Sequence, residues 1–187
     1  MELALTWDLL VIVFFAVVVA YSFIVGKDEA VKIIIASYIA IVAVQAVGNL
    51  MAMLVGDAQS FAQFVGLRVD HSVISIIKLA LFVAVIIGLS VSGGFDTDYP
   101  HALPGFWEPV ATAIFGLLTA GLLLSALLTY IGATPILDGN LANAPFLTPI
   151  VQSSPLVRMM VEYQNLWFAL PAVLLFTIGI LSKRSSS

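Results

Sequence analysis

The feature that most constrains this chain is an uncharged apolar stretch at residues 9–25, which reads LLVIVFFAVVVAYSFIV. A helix needs about 20 apolar residues to cross the hydrocarbon core of a bilayer. An open sheet cannot take its place there, because unpaired backbone N–H and C=O groups are too costly in lipid. The sequence therefore predicts an all-α integral membrane protein whose main partner is the lipid bilayer.

Further apolar runs predict that most of the chain lies in the membrane. Apolar residues make up 61% of the 187 positions, so too few residues remain for a separate soluble domain. We predict one helical membrane domain, residues 1–187, with four to five transmembrane helices. The spans are expected at residues 7–25, 33–55, 72–91, 110–131 and 166–182. The last run has only 17 residues and contains Pro171, which favours a kink, so four spans remain the alternative.

The segments between the spans predict turns and one or two surface helices, the second of them within residues 56–71. A short charged turn is expected at residues 26–32, with longer connections at 56–71, 92–109 and 132–154. Residues 155–164 combine a stripe of apolar side chains at helical spacing with charged side chains on the opposite face. This pattern is typical of an amphipathic helix at the membrane surface, which Ser153 or Ser154 could cap.

Charge and composition exclude several classes of function. The net charge is −4 and no basic patch is present, so we expect no nucleic-acid partner. Cysteine is absent, which excludes disulfides and thiolate metal sites. Asp96 and Asp98 are two carboxylates in a Gly- and Pro-rich loop, whereas calcium takes six to eight oxygen ligands, so we interpret them as a solvated turn.

No sequence motif predicts an enzyme, a cofactor or a metal site. Asp70, His71 and Ser72 are the residue types of a hydrolase triad, but neighbours on a helix point about 100° apart and cannot converge. We interpret Asp70 and Ser72 as candidate caps of the third span. His71 and His101, the two histidines, fall in segments expected on opposite sides of the membrane. We therefore expect a non-enzymatic protein.

The distribution of basic residues predicts the orientation. With five spans, the 26–32 turn, the 92–109 loop and the C-terminus lie on one side. They carry Lys27, Lys32, Lys183 and Arg184, whereas the other side carries Arg68 and Arg158, with Lys78 just inside the third span. The positive-inside rule then predicts that the N-terminus is outside and the C-terminus cytoplasmic.

Polar residues within the spans form one candidate site. Lys78 lies inside the third span, and Gln45 and Asn49 are one helical turn apart on the second. Because the second span ends where the first and third begin, Asp8, Asn49 and Lys78 are expected at roughly one depth. One hypothesis is a polar cluster in which Asp8 or Asn49 satisfies Lys78. The alternative is that Lys78 snorkels to the headgroups while Gln45 and Asn49 join helices.

Small residues mark the fourth span as a close-packing helix. Gly116 and Ala120 form one small-xxx-small pair, and Gly121 and Ser125 form another. Such pairs let two helix backbones approach closely. They predict either packing within the bundle or self-association of two copies.

Several segments together resemble a known family. Asp8 opens the first span, a Gly-Lys-Asp-Glu turn follows at residues 26–29, Gly116 and Gly121 space a later span, and residues 153–156 read Ser-Ser-Pro-Leu. In this layout the chain resembles the colicin V production protein family of small bacterial inner-membrane proteins. It departs from the family at residues 95–109, which are acidic and proline-rich where the family is basic and glycine-rich.

The resemblance implies a protein of the bacterial inner membrane, linked to secretion or envelope homeostasis and acting through partners. It carries over no catalytic residues. We therefore expect a scaffold or accessory subunit with a membrane-protein partner or a homo-oligomeric state. The alternative is a small oligomeric transporter or channel, which the polar residues on the second span and Lys78 also fit. An intramembrane enzyme would need a nucleophile and a base at one depth, and the sequence offers no such pair.

Overall fold

A computed structural model of the protein describes residues 6–65, 71–91, 107–132 and 147–185, and these residues form helices with no strand among them. The helices in chain order are α1 (Trp7–Val25), α2 (Lys27–Val65), α3 (His71–Val91), α4 (Trp107–Ile131), α5 (Thr148–Ser153), α6 (Pro155–Glu162) and α7 (Gln164–Ser185).

The chain is an all-α membrane bundle, which confirms the predicted fold class. Among the described residues, three stretches are long and apolar enough to cross a bilayer: Trp7–Val25, Lys27–Leu50 and Glu108–Ile131. The helices α6 and α7 form a fourth candidate together, bent by 61° at the break between them. Ser75–Val91, the part of α3 with described side chains, is a shorter apolar helix.

The first connection is much tighter than expected. Only Gly26, with φ of +89°, separates α1 from α2, and the charged residues 27–32 already belong to α2. Asp28 and Glu29 suit the first turn of a helix, where the dipole favours negative charge. Lys32 also bonds to Glu29 at 2.8 Å. A glycine at the left-handed position and favourable first-turn charges therefore replace the predicted turn.

Other boundaries also differ from the predictions. We expected α2 to end near residue 55, but its backbone stays helical to Val65, about 58 Å in all at the α-helical rise. The fourth span begins at Trp107 instead of 110, because Pro109 is tolerated in a first helical turn. Helix α5 lies within the predicted 132–154 loop. The bend near the C-terminal end lies at Tyr163, and α7 continues through Pro171.

Helix α4 is the centre of the bundle. In its spanning window 61% of the residues are buried, against 11% in α1. It packs against α1, α2, α3 and α7, and α1 lies on its outer side. Gly116 near the start of α4 meets the end of α1, so these two helices run antiparallel.

The short helices α5 and α6 close one end of the bundle. Leu147, Ile150 and Val157 are buried in a cluster with Val11 of α1 and Leu128 of α4. This cluster lies at the end of the bundle where α1 starts and α4 finishes. The helix predicted at 155–164 is found as α6, but it ends at Glu162, and the side chains with which it covers the ends of two spans are Val157, Met160 and Val161.

Candidate functional site

The side chain of Lys78 on α3 lies directly over Gly48 on α2. A Cβ atom at Gly48 would overlap the Lys78 Cε atom and stand 2.9 Å from Nζ. Because glycine has no side chain, the lysine stem can lie across the α2 backbone. Gln45 lies one turn before Gly48 and is half-buried, and Asn49 follows it and is exposed. The structure thus places Lys78 against α2 at Gly48, and Gln45 and Asn49 lie on the same helix within one turn of that contact.

The ammonium group of Lys78 is uncompensated within this contact. Among the residues that the structure describes, it makes neither an ion pair nor a hydrogen bond. A charged amine at membrane depth is costly unless it meets water, a headgroup or a carboxylate. Lys78 is therefore the side chain of this region that most needs a group from outside the described bundle.

Asp8, the fourth residue of the predicted cluster, is bonded at a different contact. The hydroxyl of Ser154 donates to Asp8 Oδ1 at 2.5 Å, and the backbone N–H of Leu156 donates to the same oxygen at 3.1 Å. Asp8 thus accepts from the N-terminal end of α6, where unpaired N–H groups and the helix dipole favour a carboxylate. The pairing of Asp8 with Lys78 that we considered is not seen.

Ser154 links α1 to α6 through both of its hydrogen-bonding functions. Its Oγ atom accepts from the backbone N–H of Val157 at 3.2 Å while its hydroxyl donates to Asp8. The prediction that Ser153 or Ser154 caps the amphipathic helix is thereby confirmed for Ser154. A serine that caps one helix and bonds to another fixes the position of α6 on the bundle.

Two grooves flank α6 on its outer side. The first, the apolar groove, has a volume of about 300 Å³ and lies between α1, α6 and α7. The second, the polar groove, has a volume of about 540 Å³ and lies along α5 and α6. Met159 lines both, so it forms the ridge between them.

The small residues of α4 lie at contacts within the bundle. Gly116 faces α1, where a Cβ atom would stand 2.9 Å from the Ser22 Cβ atom. Gly121 faces α7, where a Cβ atom would overlap the ring of Trp167. Ala120 and Ser125 are almost fully buried. In this chain the four residues therefore sit at internal contacts.

Two polar contacts between helices were not predicted from the sequence. Gln164, buried at the start of α7, donates to Thr129 Oγ1 at 2.7 Å, and the Thr129 hydroxyl in turn bonds to the Ser125 carbonyl. The Tyr38 hydroxyl donates to the Phe168 carbonyl at 2.5 Å. The sequence did contain a signal for both contacts, because Gln164 and Tyr38 place an amide and a phenol among apolar neighbours. In a membrane protein such polar side chains are typical of hydrogen bonds between helices.

The remaining predicted residues lie outside the part of the chain whose side chains are described. These are Asp70, His71 and Ser72, together with Asp96, Asp98 and His101. Among the described residues, no group of three or more His, Cys, Asp or Glu could hold a metal ion.

No family model, curated protein or solved structure matches this chain. The resemblance to the colicin V production protein family therefore stays a prediction.

Proposed function

We propose that this protein is a non-enzymatic scaffold or accessory subunit of a membrane assembly, and that its partner contributes an acidic side chain to Lys78. The observation that carries the proposal is the position of the Lys78 ammonium over Gly48, without a charged partner among the described residues. A carboxylate on a neighbouring transmembrane helix satisfies such a group within lipid.

The surroundings of Lys78 support an interaction with another helix. Gly48 has no side chain, so another helix can approach the α2 backbone closely at this point. Asn49, the next residue, is exposed and offers an amide group. Small residues with amide side chains are typical of interfaces between transmembrane helices. Asp8 already bonds to Ser154 and Leu156, so the acidic residue we expected near Lys78 is engaged elsewhere.

The bundle's hydroxyl groups support a structural role for its polar residues. Ser22, Ser37, Thr119 and Thr129 each donate to the carbonyl four residues earlier on their own helix. A hydroxyl group that donates to a carbonyl of its own helix has its hydrogen-bonding need met within that helix. These side chains fit a bundle that holds a shape and presents a surface.

The location and the cellular role that we propose rest on the resemblance to the colicin V production protein family. We propose a location in the bacterial inner membrane, with the N-terminus outside and the C-terminus cytoplasmic, and a role in secretion or envelope homeostasis. The four basic residues expected on the cytoplasmic side support this orientation.

A small oligomeric transporter or channel is the second candidate, and the same lysine favours it. In that case Lys78, Gln45 and Asn49 of several copies would face a shared water-filled path instead of a partner's carboxylate. Water would then satisfy the ammonium group. The two candidates differ in what surrounds Lys78, so one set of variants separates them.

The test is affinity purification of the full chain in mild detergent, followed by native mass spectrometry. The variants are Lys78→Met and Lys78→Arg, with Lys27→Met at the start of α2 as the matched control. A stoichiometric second protein that is lost only from Lys78→Met supports the accessory-subunit proposal. Equal recovery of that protein with Lys78→Met overturns it.

Proteoliposome flux tests the second candidate on the same preparations. A homo-oligomer whose ion flux depends on Lys78 would replace the accessory-subunit proposal by the channel. A monomer with neither partner nor flux would contradict both candidates.

A further inference from the structure

The grooves on either side of Met159 differ in chemistry but adjoin each other. The apolar groove is lined by carbon-rich side chains: Val11, Ile12, Phe15, Leu156, Met159, Met160 and Trp167. Its α1 wall belongs to a membrane-spanning helix, so the groove opens at the depth of lipid chains. Hydrocarbon is the natural occupant, because water gains no hydrogen bond from such walls.

The polar groove carries one charge of each sign. Arg158 and Glu162 both line it, one helical turn apart on α6, and both are exposed. Side chains at this spacing can form an ion pair, yet within the described part of the chain these two are not paired with each other. Their charges are therefore both available to a ligand in the groove.

A zwitterionic headgroup matches this arrangement. A phosphate accepts two parallel hydrogen bonds from a guanidinium group, which suits Arg158. An ammonium group on the same headgroup is attracted to the Glu162 carboxylate. A purely anionic headgroup would meet Arg158 but be repelled by Glu162, so the pair favours a ligand with both charges.

The geometry of α6 puts these charges at the membrane surface. The helix is amphipathic and meets α7 at 61°, so it runs obliquely to the span that follows. Helices of this kind lie at the boundary between headgroups and acyl chains. The bonds from Ser154 and Leu156 to Asp8 hold α6 against α1, so both grooves have a fixed wall.

We propose that α6 forms a binding site for one zwitterionic phospholipid. An acyl chain lies in the apolar groove, the phosphate contacts Arg158, and the headgroup ammonium contacts Glu162. Met159 lies under the glycerol region, where the chain and the headgroup join. This site is independent of Lys78, which lies on α3 and contacts α2 at Gly48.

The test is native mass spectrometry of the full-length protein from detergent, titrated with phosphatidylethanolamine or phosphatidylglycerol. The wild type should retain phosphatidylethanolamine in preference to phosphatidylglycerol. Arg158→Gln should lower the affinity for both lipids about tenfold, as expected for loss of a charge-assisted hydrogen bond. Glu162→Gln should remove the preference between the two lipids. Lys27→Gln, a charge change at the other end of the bundle, should leave lipid binding unchanged.

A second pair of variants tests the acyl-chain position. Ile12→Trp fills the apolar groove from an exposed position on α1 and should reduce retention of both lipids. Ile24→Trp is the matched control, because Ile24 is 82% exposed and does not line the groove. Thermal unfolding in detergent confirms that each variant is folded. Equal retention by Ile12→Trp and Ile24→Trp, or a wild-type preference for phosphatidylglycerol, would overturn the proposal.

Discussion

The carboxylate of Asp8 and the hydroxyl of Ser154 are joined by a 2.5 Å hydrogen bond between the start of α1 and the cap of α6. The two residues are far apart in the chain, yet their contact fixes where the surface helix lies. The Leu156 N–H group adds a second bond to the same oxygen. The bonds to this carboxylate therefore help to hold α6 against α1, where the two helices line the apolar groove.

Replacing Asp8 by alanine should loosen α6 from the bundle. Loss of a carboxylate that caps a helix costs about 1–2 kcal/mol, and here it also leaves the Leu156 N–H group without its acceptor. Thermal unfolding in detergent should show the lower stability, and hydrogen exchange should speed up at α6. Asp28→Ala, an exposed carboxylate in the first turn of α2, is the control and should change stability much less. Unchanged exchange at α6 in Asp8→Ala would contradict this role.

The bond between Gln164 and Thr129 should contribute measurably to stability. Both side chains are almost fully buried, so Thr129→Val leaves the Gln164 amide without a partner inside the bundle. Hydrogen bonds between transmembrane helices contribute about 0.6 kcal/mol on average, and up to about 1.7. A double-mutant cycle of Thr129→Val and Gln164→Leu measures the coupling. Strictly additive effects of the two substitutions would show that this bond adds nothing.

The class of the fold and the level of Lys78 relative to the end of α2's apolar stretch could be predicted from the sequence. Long uncharged runs have only one stable form in lipid, so the helices followed from composition alone. The direction of successive spans placed Asn49 and Lys78 near one depth, and the structure puts Lys78 beside the neighbouring Gly48. Depth follows from counting residues along a helix, which the sequence supplies directly.

The lateral arrangement could not be predicted in the same way. Asp8 and Lys78 were expected at one depth, but depth does not say which helices are neighbours. Asp8 bonds to Ser154 because α5 and α6 pack onto α1. This packing is stabilised by the apolar cluster that contains Val11 and Val157. Such tertiary packing depends on how side chains fit together, which a pattern along one chain does not contain.

Larger side chains at Gly116 of α4 should destabilise the bundle, whereas a glycine in open space should tolerate them. Gly116→Leu would force α1 away from α4, because even a Cβ atom stands only 2.9 Å from the Ser22 Cβ atom. Overpacking of this kind costs about 1–3 kcal/mol. Gly88→Leu is the matched control, since nothing lies within 4 Å of a Cβ atom there. The melting temperature of the two variants in detergent should therefore fall only for Gly116→Leu. Equal melting temperatures of the two variants would contradict the close approach of α1 and α4 at Gly116.

The contact of Gly121 with Trp167 allows a rescue experiment. Gly121→Ala puts a methyl group into the indole ring, so it should lower the melting temperature. Trp167→Leu removes the ring and opens space at the same point, although it also costs buried area. If the added methyl group meets the Trp167 ring, Gly121→Ala should lower stability less in the Trp167→Leu background than in the wild type. The check is the difference in unfolding free energy between the two backgrounds. A Gly121→Ala effect of the same size in both would mean that α4 and α7 do not meet through this pair.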